Sequence, residues 1–289
     1  MTINEYRDRH RNVNALKTAE RYGERLWHYT DVIALNGILN NKEIWFGSAA
    51  NMNDKEELKG FIKELKKEVF SAIEGHNKES KSEEVFKKIQ EELEKGYPYI
   101  FCVSQASDDA AQWERYANGG QGYAIVFNTE ALYKITYDGF TLDKEFYVCS
   151  AKEHKLKDIL VKYILTDEWE EFSDLDGYIG NLLLCANIHK HKSFSAEKEV
   201  RISPLCVEEN DEKLQYKLLK SIRRVYVANL KELCEKERTS FEDLIAAIVI
   251  GPKSEQNIED LKWYLKKIGH PQLINKIEKS ECPFGQNRG

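Results

Sequence analysis

The chain has 289 residues, of which 42% are hydrophobic and 11% aromatic, enough apolar surface for a packed core, which excludes an intrinsically disordered protein. Its 43 basic and 49 acidic residues give a net charge of −6, which argues against a generic nucleic-acid binder but leaves room for a local basic patch. No apolar run has the length of a membrane span and the N-terminus is charged, so we expect a cytoplasmic protein without a membrane partner.

The N-terminal segments alternate between charged and apolar character. Residues 1–24 predict an N-terminal helix, and residues 26–30 predict a short strand. Thr30 is placed to cap the helix that follows, because its hydroxyl can accept a hydrogen bond from a free amide of the first turn. A second strand is predicted at 44–48.

Two long helical insertions are expected further along the chain. Residues 55–96 are dominated by Lys and Glu and are broken at 75–77, which predicts two helices in a solvated surface hairpin. Residues 153–191 predict one or two helices, interrupted near 174–177.

Apolar segments rich in β-branched and aromatic residues predict the remaining strands. Residues 99–104 and 122–127 are buried strands by this criterion, and a short helix at 108–117 joins them. The later elements are predicted as strands at 146–149, 198–207, 222–228 and 246–251 and a final helix at 257–268. Because strands come in clusters separated by helical insertions of unequal length, we expect an α+β fold with a mixed or antiparallel sheet. One domain, residues 25–289, would follow the N-terminal helix.

The segment 195–202 carries charges at alternate positions. On a strand, Glu197, Glu199 and Arg201 would share one face, while Val200 and Ile202 would take the other. Such a row of charges is typical either of a cleft that binds a polar, partly cationic substrate or of a solvated edge strand. The spacing alone does not decide between these interpretations.

Several segments, in their order and spacing, resemble a bacterial family catalogued as domain of unknown function 2971. The resemblance extends from about residue 25 to 285. The segments that carry it are 26–30, 53–57, 101–104, 113–117, 122–127 and 197–201, with similar endings at 250–253 and 280–283.

This family arrangement is in turn similar to the ADP-ribosyltransferase fold, in which a split sheet holds NAD. The resemblance implies that His28 on the first strand bonds the nicotinamide ribose, and that Glu199 is the catalytic carboxylate. The neighbouring NAD-binding candidates are Tyr29, Thr30 and Ser48. Glu197 would orient the acceptor or act as its base, and Arg201 would pair with either carboxylate or with a pyrophosphate oxygen.

The implied activity is an NAD-dependent ADP-ribosyltransferase that modifies a macromolecule, either a nucleic acid such as RNA or a protein, in a defence or toxin system. An antitoxin or another regulatory partner fits that setting. Loss of nicotinamide leaves positive charge on the ribose, as in glycoside hydrolysis, and a fixed carboxylate stabilises that charge. Removing a comparable stabiliser typically costs ~3 kcal/mol of activation free energy.

Two alternatives remain open at the level of sequence. The first is a non-catalytic interaction protein in which the charged segment is structural. The second is a metal-assisted phosphodiesterase using Asp54, His28 and Glu199, although Asp54 and Glu57 also fit a helix capping box. The six cysteines are scattered and none forms a C-x-x-C pair, so we expect no cysteine metal site.

Overall fold

The fold is taken from a computed structural model, which describes residues 3–48, 55–95, 99–136, 146–150, 156–168, 174–188, 192–204, 207, 210–218 and 221–284. The helices are α1 (Ile3–Tyr22), α2 (Val32–Leu39), α3 (Lys55–Ala72), α4 (Glu79–Lys95), α5 (Ala110–Tyr116), α6 (Thr129–Thr136), α7 (Leu156–Thr166), α8 (Leu175–Ile188), α9 (Leu230–Lys236), α10 (Phe241–Leu244) and α11 (Ile258–Lys267). The strands are β1 (Arg25–Thr30), β2 (Glu43–Ser48), β3 (Tyr99–Ser104), β4 (Tyr123–Asn128), β5 (Phe146–Ser150), β6 (Glu199–Pro204), β7 (Leu214–Leu218), β8 (Ile222–Asn229), β9 (Ile245–Ile250) and β10 (Ile277–Lys279).

Every strand predicted from the sequence is present, and most bounds agree within one or two residues. Two local predictions are wrong. Thr30 is the last residue of β1, and the side chain of Asp31 caps α2 by accepting from the Ala34 amide at 2.9 Å. The Asp31 carboxylate lies one residue closer to the helix than the Thr30 hydroxyl and is therefore the better-placed acceptor. The strand predicted from residue 198 begins only at Glu199, because Lys198 has a left-handed backbone with φ of 44°.

The sheet is mixed, which is one of the two arrangements, mixed or antiparallel, that the clustering of strands predicted. Its order is β10-β9-β4-β1-β3-β2-β8-β7, and β6 lies between β3 and β5. β9 and β10 pair in parallel, and the other pairs are antiparallel. The structure therefore establishes an α+β fold with a mixed open sheet.

The sheet is split along one edge of β3. β6 pairs with Phe101–Ser104 on one edge, and β1 meets the opposite edge at a single pair, Trp27 with Ser104. β2 pairs with Tyr99 and Ile100, directly beside the Phe101–Ile202 pair of β6. If β2 and β6 lay on the same edge of β3, they would pair with adjacent residues, Ile100 and Phe101, which are only ~3.3 Å apart and so too close for two neighbouring strands. β2 therefore pairs with the same edge of β3 as β1. The middle of that edge is the gap between β1 and β2.

The main core lies on one face of this sheet. It includes Leu26, Phe101, Ile125, Val200 and Ile202, all 4% exposed or less. Helices α2, α6, α9 and α11 contribute further apolar residues to the same cluster. The opposite face of the sheet therefore carries the other half of each strand's alternation, including the charged positions of β6.

The two helical insertions pack against each other. Phe61, Leu65 and Val69 of α3 form a stripe with a spacing of four residues. They share a hydrophobic cluster with residues of α4, α7 and α8, including Ile89, Leu160 and Leu182. The two helices between 55 and 95 thus have one buried face, whereas a solvated hairpin was predicted at 55–96 from its Lys and Glu content.

Candidate functional site

A cleft of about 310 Å³ lies at the split in the sheet. This volume is at the lower end of the range for small-molecule sites. The lining residues come from β1, β2, β3, α5, β6, β8 and the turn before β6, and they are Trp27, His28, Tyr29, Trp45, Gly47, Ile100, Phe101, Cys102, Val103, Ser104, Gln112, Tyr116, Glu197, Glu199 and Arg223.

Glu199 and Arg201 form a buried ion pair on β6. The Arg201 Nε–H donates to Glu199 Oε1, and the two side chains are 2% and 9% exposed respectively. β6 is paired on both edges, by β3 and by β5. The solvated-edge interpretation of this segment is therefore wrong. Arg201 does not line the cleft; it holds the carboxylate that does.

Glu197 reaches the cleft by another route than the predicted one. It ends a 3-10 turn, Lys192–Glu197, and is separated from β6 by Lys198. The expected three-residue row on one strand therefore reduces to Glu199 and Arg201. Glu197 Oε1 accepts from Arg115 Nη1 at 2.6 Å and from the Tyr116 hydroxyl at 3.2 Å.

The main chain of Glu197 is also held in place. Its carbonyl oxygen accepts from Ser104 Oγ at 2.6 Å and from Gln112 Nε2 at 3.4 Å. Ser104 Oγ in turn accepts from the Ala106 amide at 2.9 Å. These contacts join β3, α5 and the turn before β6 into one wall of the cleft, with the Glu197 side chain only 5% exposed.

His28 lies at the open edge of β3. Its Nδ1 is 2.9 Å from the Cys102 carbonyl oxygen, and its ring stacks on Phe101 at 4.4 Å between centroids. Since a carbonyl oxygen can only accept, Nδ1 carries the proton, and Nε2 of the neutral ring is an acceptor. Burial lowers the pKa of His28 below its usual 6.5, against the opposing effects of the Cys102 bond and of Asp31. The neutral form is therefore favoured at neutral pH.

Strand register places His28 and Glu199 on opposite faces of the sheet. His28 pairs with Ile125 of the main core, whereas Glu199 pairs with Ser104, which also pairs with Trp27. Both residues nevertheless line the same cleft. The split explains this, because the imidazole bonds the Cys102 carbonyl at an edge of β3 where none of the described strands pairs with Cys102.

The other candidates on β1 and β2 are placed differently. The Tyr29 hydroxyl donates to the Ala106 carbonyl at 2.7 Å and accepts from the Asp109 amide at 3.0 Å, so its polar atom is committed to the loop before α5. Tyr29 still lines the cleft. Thr30 and Ser48 are buried, 6% and 4% exposed, and neither lines it.

Several lining residues were not proposed for the site from the sequence. Among them, Gln112 and Tyr116 lie on α5, which was predicted only as a short helix between two strands, and Trp45 lies on β2. Arg223 is exposed and brings a positive charge to the rim of the cleft from β8. The sequence does indicate a positively charged site here, since Arg223 lies in the segment 213–225, which contains five basic residues and no acidic one.

Some predictions lie outside the described residues. Asp54, the third ligand of the phosphodiesterase hypothesis and the proposed cap of α3, is one of them. Within the described ranges, no group of three or more His, Cys, Asp or Glu side chains is arranged to hold a metal ion. The helices that the structure describes include none that is long and apolar enough to cross a membrane.

Residues 112–202 match the family model described as Protein of unknown function (DUF2971). The matched region contains Gln112, Tyr116, Glu197 and Glu199 of the cleft, and it supports the family resemblance seen in the sequence. No curated protein and no solved structure gives a significant match to the chain. The family description itself carries no activity, so the function must be inferred from the site.

Proposed function

We propose that the chain is an NAD-dependent ADP-ribosyltransferase that modifies a macromolecule. The observation that carries this proposal is the pairing of Glu199 with Arg201 at a cleft that opens where the sheet is split. A carboxylate whose position is fixed by a buried guanidinium needs little reorganisation when positive charge develops beside it. The resemblance to the ADP-ribosyltransferase fold in the sequence points to the same residue.

His28 would bind the nicotinamide ribose through Nε2. Because Nδ1 donates its proton to the Cys102 carbonyl, Nε2 is an acceptor and can receive a hydrogen bond from a ribose hydroxyl. The aromatic rings of Trp27, Trp45 and Tyr116 line the same cleft and offer apolar surface to the nicotinamide ring. Arg223 at the rim offers a cation to the pyrophosphate of NAD.

In the proposed reaction the glycosidic bond between ribose and nicotinamide breaks. Its electron pair leaves with the ring nitrogen, so nicotinamide departs neutral and positive charge develops on the ribose. The Glu199 carboxylate stabilises that charge. A nucleophilic atom of the acceptor then bonds the ribose carbon and loses its proton. Glu197, whose carboxylate is bonded by Arg115 and Tyr116, would orient the acceptor or take up that proton.

The test is release of nicotinamide from NAD by the purified chain, measured by chromatography with and without cell extract. We expect release by the wild type and a fall of about a hundredfold or more in Glu199→Gln. Glu278→Gln is a matched control, because Glu278 also pairs with an arginine, Arg25 at 3.4 Å, but on the far edge of the sheet. It should leave the rate unchanged.

Neither NAD binding nor NAD turnover, with or without extract, would exclude the enzyme and favour the non-catalytic interaction protein. Turnover that requires a divalent metal would favour the phosphodiesterase hypothesis, because glycosidic cleavage of NAD by a carboxylate needs no metal. NAD as substrate, the macromolecular acceptor and a regulatory partner all rest on this proposal.

A further inference from the structure

The β7–β8 hairpin concentrates positive charge in an otherwise acidic chain. Residues 213–225 contain five basic residues and no acidic one, while the whole chain has a net charge of −6. The five are Lys213, Lys217, Lys220, Arg223 and Arg224. β7 is the last strand of the sheet order, so the hairpin projects from one end of the sheet. A local basic patch of this kind is where an acidic chain meets a polyanion.

The same hairpin exposes apolar and aromatic side chains. Tyr216, Leu218 and Ile222 are 74%, 73% and 76% exposed. Leu218 pairs with Ile222 and Tyr216 pairs with Arg224, so all four side chains lie on one face of the hairpin. Nearer the base, Leu214 and Tyr226 occupy that face and pack on the main core. The apolar face of the sheet therefore continues past the core into solvent. We call Tyr216, Leu218, Ile222, Arg223 and Arg224 the hairpin surface.

The charges of the hairpin are not equally available. Lys217 pairs with Glu43 at 3.2 Å and lies 4.6 Å above the Trp45 ring, so its charge is largely compensated. Arg223 and Arg224 are exposed, and the Arg223 Nε donates to the neutral Ser221 hydroxyl at 3.4 Å. Asp211 and Glu212 precede the hairpin at its base, away from the tip that carries Leu218 and Ile222.

Arg223 joins this surface to the cleft. It pairs with Lys217 across the hairpin and lies on the opposite face from Tyr216, and it lines the cleft together with Trp45 and Glu199. A ligand that lies across the tip of the hairpin is thereby continuous with the carboxylate at the split. A surface for the acceptor needs this continuity.

We propose that the hairpin surface binds single-stranded nucleic acid and presents it to the cleft as the acceptor. An exposed tyrosine flanked by apolar side chains is a platform on which an unpaired base stacks, and neighbouring arginines contact the phosphates. A duplex keeps its bases stacked inside and offers no such face to Tyr216. The role of the bound strand as acceptor rests on the proposed function, whereas binding of the nucleic acid does not require NAD.

The experiment measures binding in the absence of NAD, by fluorescence anisotropy of labelled oligo(U), oligo(dT) and a duplex, each of about 16 nucleotides per strand. We expect both single strands to bind better than the duplex. Comparison of oligo(U) with oligo(dT) distinguishes RNA from DNA. Tyr216→Ala should weaken binding about tenfold through the lost stacking contact. Arg224→Gln should make the negative slope of log affinity against log salt shallower by about 0.7, because one phosphate contact is lost.

Matched controls come from the other end of the sheet. On α11, Trp263 is 62% exposed and Lys267 lies 5.5 Å from its ring, so Trp263→Ala and Lys267→Gln remove the same chemistry elsewhere and should leave binding unchanged. Arg224→Lys keeps the charge and should restore the salt dependence. All these side chains are exposed, and equal thermal unfolding of the variants verifies that the fold is intact.

Hairpin variants that bind like the wild type, stronger binding of the duplex, or a wild type that binds neither single strand would each overturn the proposal and leave a protein as acceptor. A chain that releases nicotinamide but binds no oligonucleotide overturns this inference alone. A chain that binds single strands through the hairpin but never turns over NAD supports the binding surface and overturns the proposed function.

Discussion

Arg201 donates its Nε–H to the carboxylate of Glu199 from within the sheet, and both side chains are nearly excluded from water. Arg201 is one of the largest fully buried side chains in the described part of the chain. The pair therefore has two consequences. It fixes the Glu199 carboxylate at the cleft. It also means that removing either partner lowers the stability of the fold, because a buried charge left without its counter-ion is strongly unfavourable.

Replacing Arg201 by Met should lower the free energy of unfolding by about 3 kcal/mol or more, since the Glu199 carboxylate would stay buried without its counter-ion. Urea denaturation followed by circular dichroism measures this. The double variant Arg201→Met/Glu199→Gln removes both charges and should recover most of the loss. If the double variant is folded but releases no nicotinamide, the role of Glu199 is chemical. Full activity of that double variant would contradict the proposed function.

The stability of the protein should depend on the protonation of His28. Its pKa in the folded chain lies below the ordinary 6.5, so the unfolded chain binds a proton first as the pH falls. The contribution of neutral His28 is fully present above pH 6.5 and is lost as the pH falls through 6.5 towards the lower folded value. We expect a fall in unfolding free energy of at most ~1.4 kcal/mol per pH unit in that window.

The variant His28→Asn separates this titration from the others, because the amide can still donate to the Cys102 carbonyl but does not titrate. Urea denaturation between pH 7.5 and 5 should give a smaller pH dependence for the variant than for the wild type. The variant should also bind NAD about tenfold more weakly, since it lacks the Nε2 acceptor. Identical pH profiles of the two proteins would contradict the buried, neutral state of His28.

Glu197→Gln should have a much smaller effect on stability than any change at Arg201. Its backbone bonds to Ser104 and Gln112 remain, and the partner that loses its counter-ion, Arg115, is 49% exposed. We expect a loss of roughly 1 kcal/mol. Transfer to an acceptor should fall more than hydrolysis of NAD to free ADP-ribose, and the ratio of the two products measures this. An equal fall in both would place Glu197 with Glu199 in bond cleavage.

Gly122 lies between the turn after α5 and the start of β4, and its backbone is close to the end of β1. A Cβ atom there would lie 2.3 Å from the Thr30 carbonyl oxygen, so Gly122→Ala must displace backbone beside the cleft. We expect it to lower the unfolding free energy by about 3 kcal/mol. Gly60 in α3 has no atom within 4 Å of the same position, so Gly60→Ala should instead stabilise by about 1 kcal/mol. Equal effects of the two substitutions would be inconsistent with the packing of β1 against this turn.

Local sequence patterns were sufficient for most of the elements. The apolar segments that became β3, β4 and β9 are buried on both faces, and a continuous apolar run is the pattern that such strands leave in a sequence. The buried face of α3 was not predicted, because its many Lys and Glu residues outnumber the apolar stripe. That stripe packs with residues of α4, α7 and α8, and the last two helices are distant in the sequence. β7 and α6 were not predicted, although Leu214, Tyr216 and Leu218 alternate with polar residues and Ala131, Leu132 and Ile135 share one face of a helix; both elements are short, with 5 and 8 residues.

The sequence by itself determined the strand that carries Glu199 and Arg201, the position of His28 on the first strand, and the α+β class, since these depend on alternation and composition along short segments. Only the tertiary structure decided that Glu197 leaves the strand, that Arg201 is buried behind Glu199, and that His28 reaches their cleft from the other face. The physical reason is that the gap between β1 and β2 arises from two strands sharing one edge of β3. A long-range pairing of that kind leaves no pattern in any one segment of the chain.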